Sequence, residues 1–126
     1  MANPNIINAT SILGKTVYDA DISNTASELL ENAASSNKVL KINSLIIANI
    51  DTAATPLAAD ITVTIRNAAG TVIYSTLAKD IAVPAYATLV VISKDTSIYL
   101  EEDRSIYLQA SVASDLSATC SYEEIS

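Results

Sequence analysis

Histidine is absent from this 126-residue chain, and so are tryptophan and phenylalanine. Without imidazole there is no Ser-His-Asp or Cys-His arrangement and no His-ligated metal, and a lone cysteine, Cys120, cannot build a thiolate zinc site. One cysteine also makes no disulfide framework. Basic residues are scarce, seven against fourteen acidic, for a formal charge of −7 and a pI near 4.2. Nucleic-acid affinity needs clustered Lys and Arg that release counterions, so a phosphate-backbone partner is not expected. Long apolar runs are missing too. Leu45 to Ala48 and Leu89 to Ile92 fall far short of the ~20 residues that span a bilayer. The opening "MANPNIINATSILGK" lacks the charged start and unbroken apolar segment of a signal peptide, so the expectation is a soluble protein made in a cytoplasm. The glycosylation acceptor Asn8-Ala9-Thr10 is accordingly expected to stay unused.

What the chain does contain is aliphatic bulk. Half the residues are apolar, and the aromatic share is six tyrosines, so the core must come from Ile, Leu, Val and Ala. The length suits one domain, 1–126, able to bury roughly two-thirds of its unfolded surface. Alternation of period two dominates and β-branched residues carry it. Ile61, Val63 and Ile65 oppose Thr62, Thr64 and Arg66; Asn67 to Gly70 then forms a turn into a returning strand, "TVIYSTL". In "NKVLKINSLIIANI", Leu40, Ile42, Ile46, Ala48 and Ile50 fall on one side with Lys41, Asn43 and Asn49 on the other. "DTAATPLAAD", 51–60, reads as a loop, and "IAVP" and "ATLVVIS" as two further strands around Pro84-Ala85-Tyr86. Ala118, Cys120 and Tyr122 alternate with polar residues, which puts Cys120 on an apolar face as an inert buried thiol. "NTASELLENAASSN" fits a short helix with Thr25 and Glu28 at capping-box spacing, or a strand over Ser27 to Asn32; the strand is preferred. The sum is an all-β fold: a single-domain antiparallel β-sandwich, jelly-roll or Ig-like, of eight or nine short strands.

Two stretches invite a chemical reading. "ATSILGKT", Ala9 to Thr16, fits a loose phosphate-loop pattern, but such a loop needs flexible backbone N–H groups leading into a helix, and here Ile12 and Leu13 occupy it. "SIYLEEDRSIYL", Ser97 to Leu108, writes Ser-Ile-Tyr-Leu twice around Glu101-Glu102-Asp103. A glycosidase needs carboxylates facing each other across a cleft, whereas three neighbours on one turn diverge. Calcium would suit turn carboxylates, yet EF-hand spacing is absent. The reading adopted is a hairpin, with Ile98 and Leu100 inward, then Ile106, Leu108, Ala110 and Val112, and the charges at a solvated tip. No catalytic, cofactor-binding or metal-ligating residue is assigned.

The C-terminal half carries a resemblance. Val83-Pro84-Ala85, Ala87-Thr88-Leu89, Ile98-Tyr99-Leu100-Glu101-Glu102-Asp103-Arg104-Ser105-Ile106, Ala110-Ser111-Val112-Ala113 and Ser121-Tyr122-Glu123-Glu124-Ile125 follow in an order that resembles a widespread set of small bacteriophage virion proteins. The likeness runs from Lys38 to Ser126. Those proteins carry glycine where this chain has Asp103, which requires Asp in a left-handed conformation or a different turn.

The resemblance implies a virion structural protein that is not an enzyme, made in the host bacterial cytoplasm and carried on the particle without cofactor. The preferred role is a capsid decoration, or cement, protein on the outside of the coat lattice, with the major capsid protein or other virion proteins as partners. It would be a homo-oligomer or a many-copy lattice component. Strong negative charge suits an exterior surface. A tail, neck or fibre component, including a receptor-binding module, is the alternative. A carboxylate hydrolase built on Glu101, Glu102 and Asp103 is the rival from another class. Segment 1–13 is read either as an N-terminal arm that adds a strand to a neighbour or as this domain's own first strand.

Overall fold

The computed structural model describes residues 3–126. Nine strands account for the alternation: β1 (Ile12–Asp19), β2 (Ser27–Asn32), β3 (Val39–Asn49), β4 (Ala59–Arg66), β5 (Ile73–Val83), β6 (Thr88–Ile92), β7 (Ile98–Leu100), β8 (Arg104–Ala110) and β9 (Leu116–Ile125). One sheet runs β1-β9-β3-β6 with β7 also on β3, the other β2-β8-β4-β5, and every pairing is antiparallel. Successive strands mostly alternate between the sheets, and with β6 and β7 counted as one broken strand this order is that of a jelly roll. Ser27 to Asn32 is a strand, as preferred.

The core lies between the sheets. Ile42, Leu45 and Ile47 from β3, Leu116, Ala118 and Cys120 from β9, Ile61 and Val63 from β4, and Ile106 and Leu108 from β8 are buried there. No aromatic ring is fully buried; Tyr122 packs at its margin. Each aliphatic side chain removed from water stabilises the fold by roughly 1.5–3 kcal/mol, so close packing of branched residues replaces aromatic mass.

Three strand readings need correction. In β3, Ile42 pairs with Tyr122 and Ser44 with Ser121, leaving Asn43 as an extra residue. That bulge inverts the alternation, so Leu45 and Ile47 enter the core, while Ile46 and Ala48 are half-buried and Ile50 is exposed. The strand parts of "TVIYSTL" and "IAVP", from Ile73 to Val83, form the single strand β5. There Lys79 and Asp80 together oppose Thr62, Asp80 has φ 48°, and the Thr62 hydroxyl both accepts from Asp80 N and donates to its carboxylate. The bulge absorbs the break in pattern without ending the strand.

The third concerns the repeat. Ile98 to Leu100 pairs with β3 in one sheet, whereas Arg104 to Ala110 pairs with β2 and β4 in the other. "SIYLEEDRSIYL" is therefore a corner between sheets and not a hairpin. β8 ends at Ala110, and Val112 is exposed in the following loop. The hairpin at Asn67 to Gly70 forms as expected, with the Asn67 carboxamide oxygen accepting from Thr71 N and Val72 N.

At the N-terminus, Ile12 and Leu13 are part of β1. Thr10 N and Ser11 N donate to Ser126 O, and Asn3, Pro4 and Ile6 line a recess with Val39 and Tyr99. Val39 and Ile125 point away from the core by alternation, yet are 4% and 2% exposed. The N-terminal segment lies over that end of the outer sheet face.

Candidate functional site

The acidic corner between β7 and β8 holds the three adjacent carboxylates Glu101, Glu102 and Asp103. Glu101 is exposed. Glu102 is 3% exposed; its Oε1 accepts from Asn37 N at 3.1 Å, and its Oε2 has no hydrogen-bond partner among the described residues. Asp103 adopts φ 58°, the left-handed conformation that was one of the two expected there, and its carboxylate accepts from Ala68 N at 3.2 Å. Arg104 donates to Asp103 O and lies over the Tyr74 ring, 4.2 Å from its centre. The charges are thus not a solvated tip. Two of them fasten the crossing to the loops that flank it, and the three carboxylates diverge. Among the described residues no group of three or more His, Cys, Asp or Glu is placed to hold a metal ion.

The phosphate-loop pattern lies in extended backbone. Ile12 to Thr16 pair residue by residue with β9, so their N–H groups do not converge on a common point. Cys120 is fully buried, and desolvation pushes its thiol up to about 12. A thiol so placed is neither nucleophile nor ligand at neutral pH.

A different surface is built at one end of the sandwich. The β1–β2, β3–β4, β5–β6 and β8–β9 connections, residues 20–26, 50–58, 84–87 and 111–115, all emerge there. Asn49 ties two of them to the end of β5: its N–H donates to Ala87 O, and its carboxamide donates to Leu57 O and Val83 O, both at 2.9 Å. Ile50 N donates to Asp115 O at 2.7 Å. Asp51 accepts from Ala53 N and Leu57 N, and these donors hold its carboxyl below the usual aspartate range. Asp21 accepts from both the N–H and the hydroxyl of Ser114, joining the first connection to the last.

These loops are ordered by their own polar groups while apolar side chains stand out from them. Leu57 is 68% exposed and Tyr86 84%; Ile50 and Val112 are exposed beside them. The four connections contain Asp21, Asp51 and Asp115 and no Lys or Arg. Lys15, Lys38, Lys41, Arg66 and Arg104 all lie toward the opposite end, by strand register. The result is a preformed apolar and acidic surface. Preordered loops bind without the entropy cost of fixing them, which suits recognition of another protein surface.

Sequence reading missed this cluster, because alternation placed Ile50 and Val112 inside and Tyr86 merely between strands. The usable signal was local: Leu57 follows Pro56 and Tyr86 lies two residues past Pro84, apolar side chains where a turn needs none. No protein-family model matches the chain, and no curated protein is significantly similar to it.

Proposed function

We propose that this protein is a non-enzymatic structural component of a bacteriophage virion, a decoration protein that seats its loop end on the outer surface of the coat lattice. The observation that carries the reading is that loop end, with Leu57, Tyr86, Ile50 and Val112 exposed on connections tied by Asn49, Asp51 and Asp21. The resemblance of Lys38 to Ser126 to small virion proteins supports the same role. Repetition over a lattice makes a modest contact sufficient, because each copy is backed by its neighbours. The side chains that would meet the coat are apolar, and the rim is acidic, so the matching coat surface is apolar with basic residues around it.

Quantitative mass spectrometry of purified particles of the phage that encodes the chain tests the role. Hundreds of copies per particle are expected. A handful would assign it to the tail or neck, and absence from the particle would overturn the virion reading. Leu57→Asp with Tyr86→Ser should leave the fold intact and strip the protein from particles.

A further inference from the structure

A sandwich of two open sheets has four edges, and an exposed edge is a template for another strand unless something blocks it. Three edges of this protein are blocked. β2 has only six residues, breaks register between Glu28 and Leu30, and carries Glu28 and Glu31. β5 shifts register at three points and bulges at Asp80. On the far side of β3 the edge is split into β6 and β7, of five and three residues, with a 3-10 turn at Lys94–Thr96 between them.

β1 has neither a register break nor a bulge, and its two charges, Lys15 and Asp19, are of opposite sign. All eight of its residues pair with β9 without a register shift, and its other side has no strand partner among the described residues. It contains no proline, and its Lys15 is already engaged by Glu124. Ile12, Leu13 and Tyr18 are 57%, 49% and 70% exposed. Gly14 lies on the same outer face as Tyr18, two positions beyond Thr16, and a side chain placed there would meet nothing within 4 Å.

We propose that β1 pairs with β1 of a second copy of this chain, antiparallel about a two-fold axis at Thr16, continuing the β1-β9-β3 sheet from one protomer into its partner. In that register Gly14 faces Tyr18 of the partner subunit, so each tyrosine ring covers the open glycine opposite. Leu13 faces Asp19 of the partner subunit, and Lys15 lies diagonal to that same Asp19, an opposite-charge contact made twice. The two Lys15 approach each other across the axis, each held by its own Glu124. An eight-residue strand is ~26 Å long, and the side of a two-layer sandwich is ~20 Å deep, so the seam buries on the order of 1,000 Å² in total, the lower end for specific interfaces. The dimer is therefore concentration-dependent. This pairing follows from the edge itself and holds whether or not the protein belongs to a virion.

Sedimentation velocity on the full chain, from a few micromolar to hundreds of micromolar at physiological salt, should show a monomer–dimer equilibrium. Thr16→Arg, which sets two like charges on the axis, should weaken it by about tenfold or more with an unchanged circular dichroism spectrum. Thr16→Cys should form a cross-linked dimer under mild oxidation, while Thr76→Cys, on the blocked β5 edge, should not cross-link; buried Cys120 does not interfere. A chain that is monomeric throughout overturns the proposal, as does a dimer indifferent to Thr16→Arg or cross-linked no faster through position 16 than through position 76.

Discussion

Asn32 of β2 donates from its carboxamide to Leu100 O of β7 at 3.0 Å, a buried hydrogen bond that passes from one sheet to the other. The same amide donates to Lys38 O, and its oxygen accepts from the Ser36 hydroxyl. Every partner would be left without its bond in Asn32→Ala, which should cost about 2–3 kcal/mol in urea unfolding. Asn32→Asp should cost at least as much, since a carboxylate would face two carbonyl oxygens.

Asp103 holds its left-handed backbone at the sheet crossing while its carboxylate anchors Ala68 N. Glycine relieves the strain and loses the anchor, so Asp103→Gly should remain within about 1 kcal/mol of the parent. A β-branched residue relieves nothing. Asp103→Val should lower stability by about 2–3 kcal/mol, read from thermal melts.

Gly70 has φ 77°, and a Cβ on it would run into the hydroxyl end of Tyr107, whose ring packs under Arg66 at 4.7 Å. Gly70→Ala should therefore destabilise by about 2 kcal/mol, combining backbone strain with the displaced ring. Tyr107→Ala in the same chain should recover the steric part only. A double-mutant cycle is expected to show coupling of about 1 kcal/mol.

Cys120 should resist thiol reagents in the folded protein and react at the rate of unfolding when urea is added. Its pKa is raised to about 12 from an ordinary 9.0. Between those values the unfolded state loses the proton first, so stability falls as pH rises through that window. Cys120→Ala should flatten this alkaline loss while costing cavity energy at neutral pH.

Glu124 lies between Lys15 and Lys38, and its hydrogen bond with Lys15, followed by that with Lys38, lowers its pKa from the ordinary 4.5. A depressed carboxylate pKa contributes stability that is fully present above the ordinary value and is lost as pH falls through the folded one. Glu124→Gln should remove that part of the acid dependence, visible as a shallower decline of the urea midpoint below pH 4.5.

Strands were legible wherever one face alternates without interruption. Ile61 with Val63, Ile106 with Leu108, and Ala118 with Cys120 lie inward as the pattern required. The failures share a cause. One extra residue at Asn43 inverts everything after it in β3, and a bulge at Lys79 and Asp80 joins two apparent strands, because alternation records phase but not a skipped partner. The repeated Ser-Ile-Tyr-Leu shows the other limit. Two identical tetrapeptides lie in different sheets, since a strand's neighbour is decided by segments distant in the chain. The loop end was hidden for a related reason: Leu57 and Tyr86 sit in connections that local reading treats as spacers, and Ile50 and Val112 fall inward only if alternation is extended past the strand ends.

Thr10 and Ser11 bond to Ser126, and Asn3 accepts from Glu102 N, so both ends of the described residues lie at the pole opposite the exposed Leu57 and Tyr86. A passenger domain fused after Ser126 would project away from the loop end. Their shared pole permits circular permutation: joining the ends through a linker and opening the chain at Ala113 would keep all nine strands and move the new termini to the loop end.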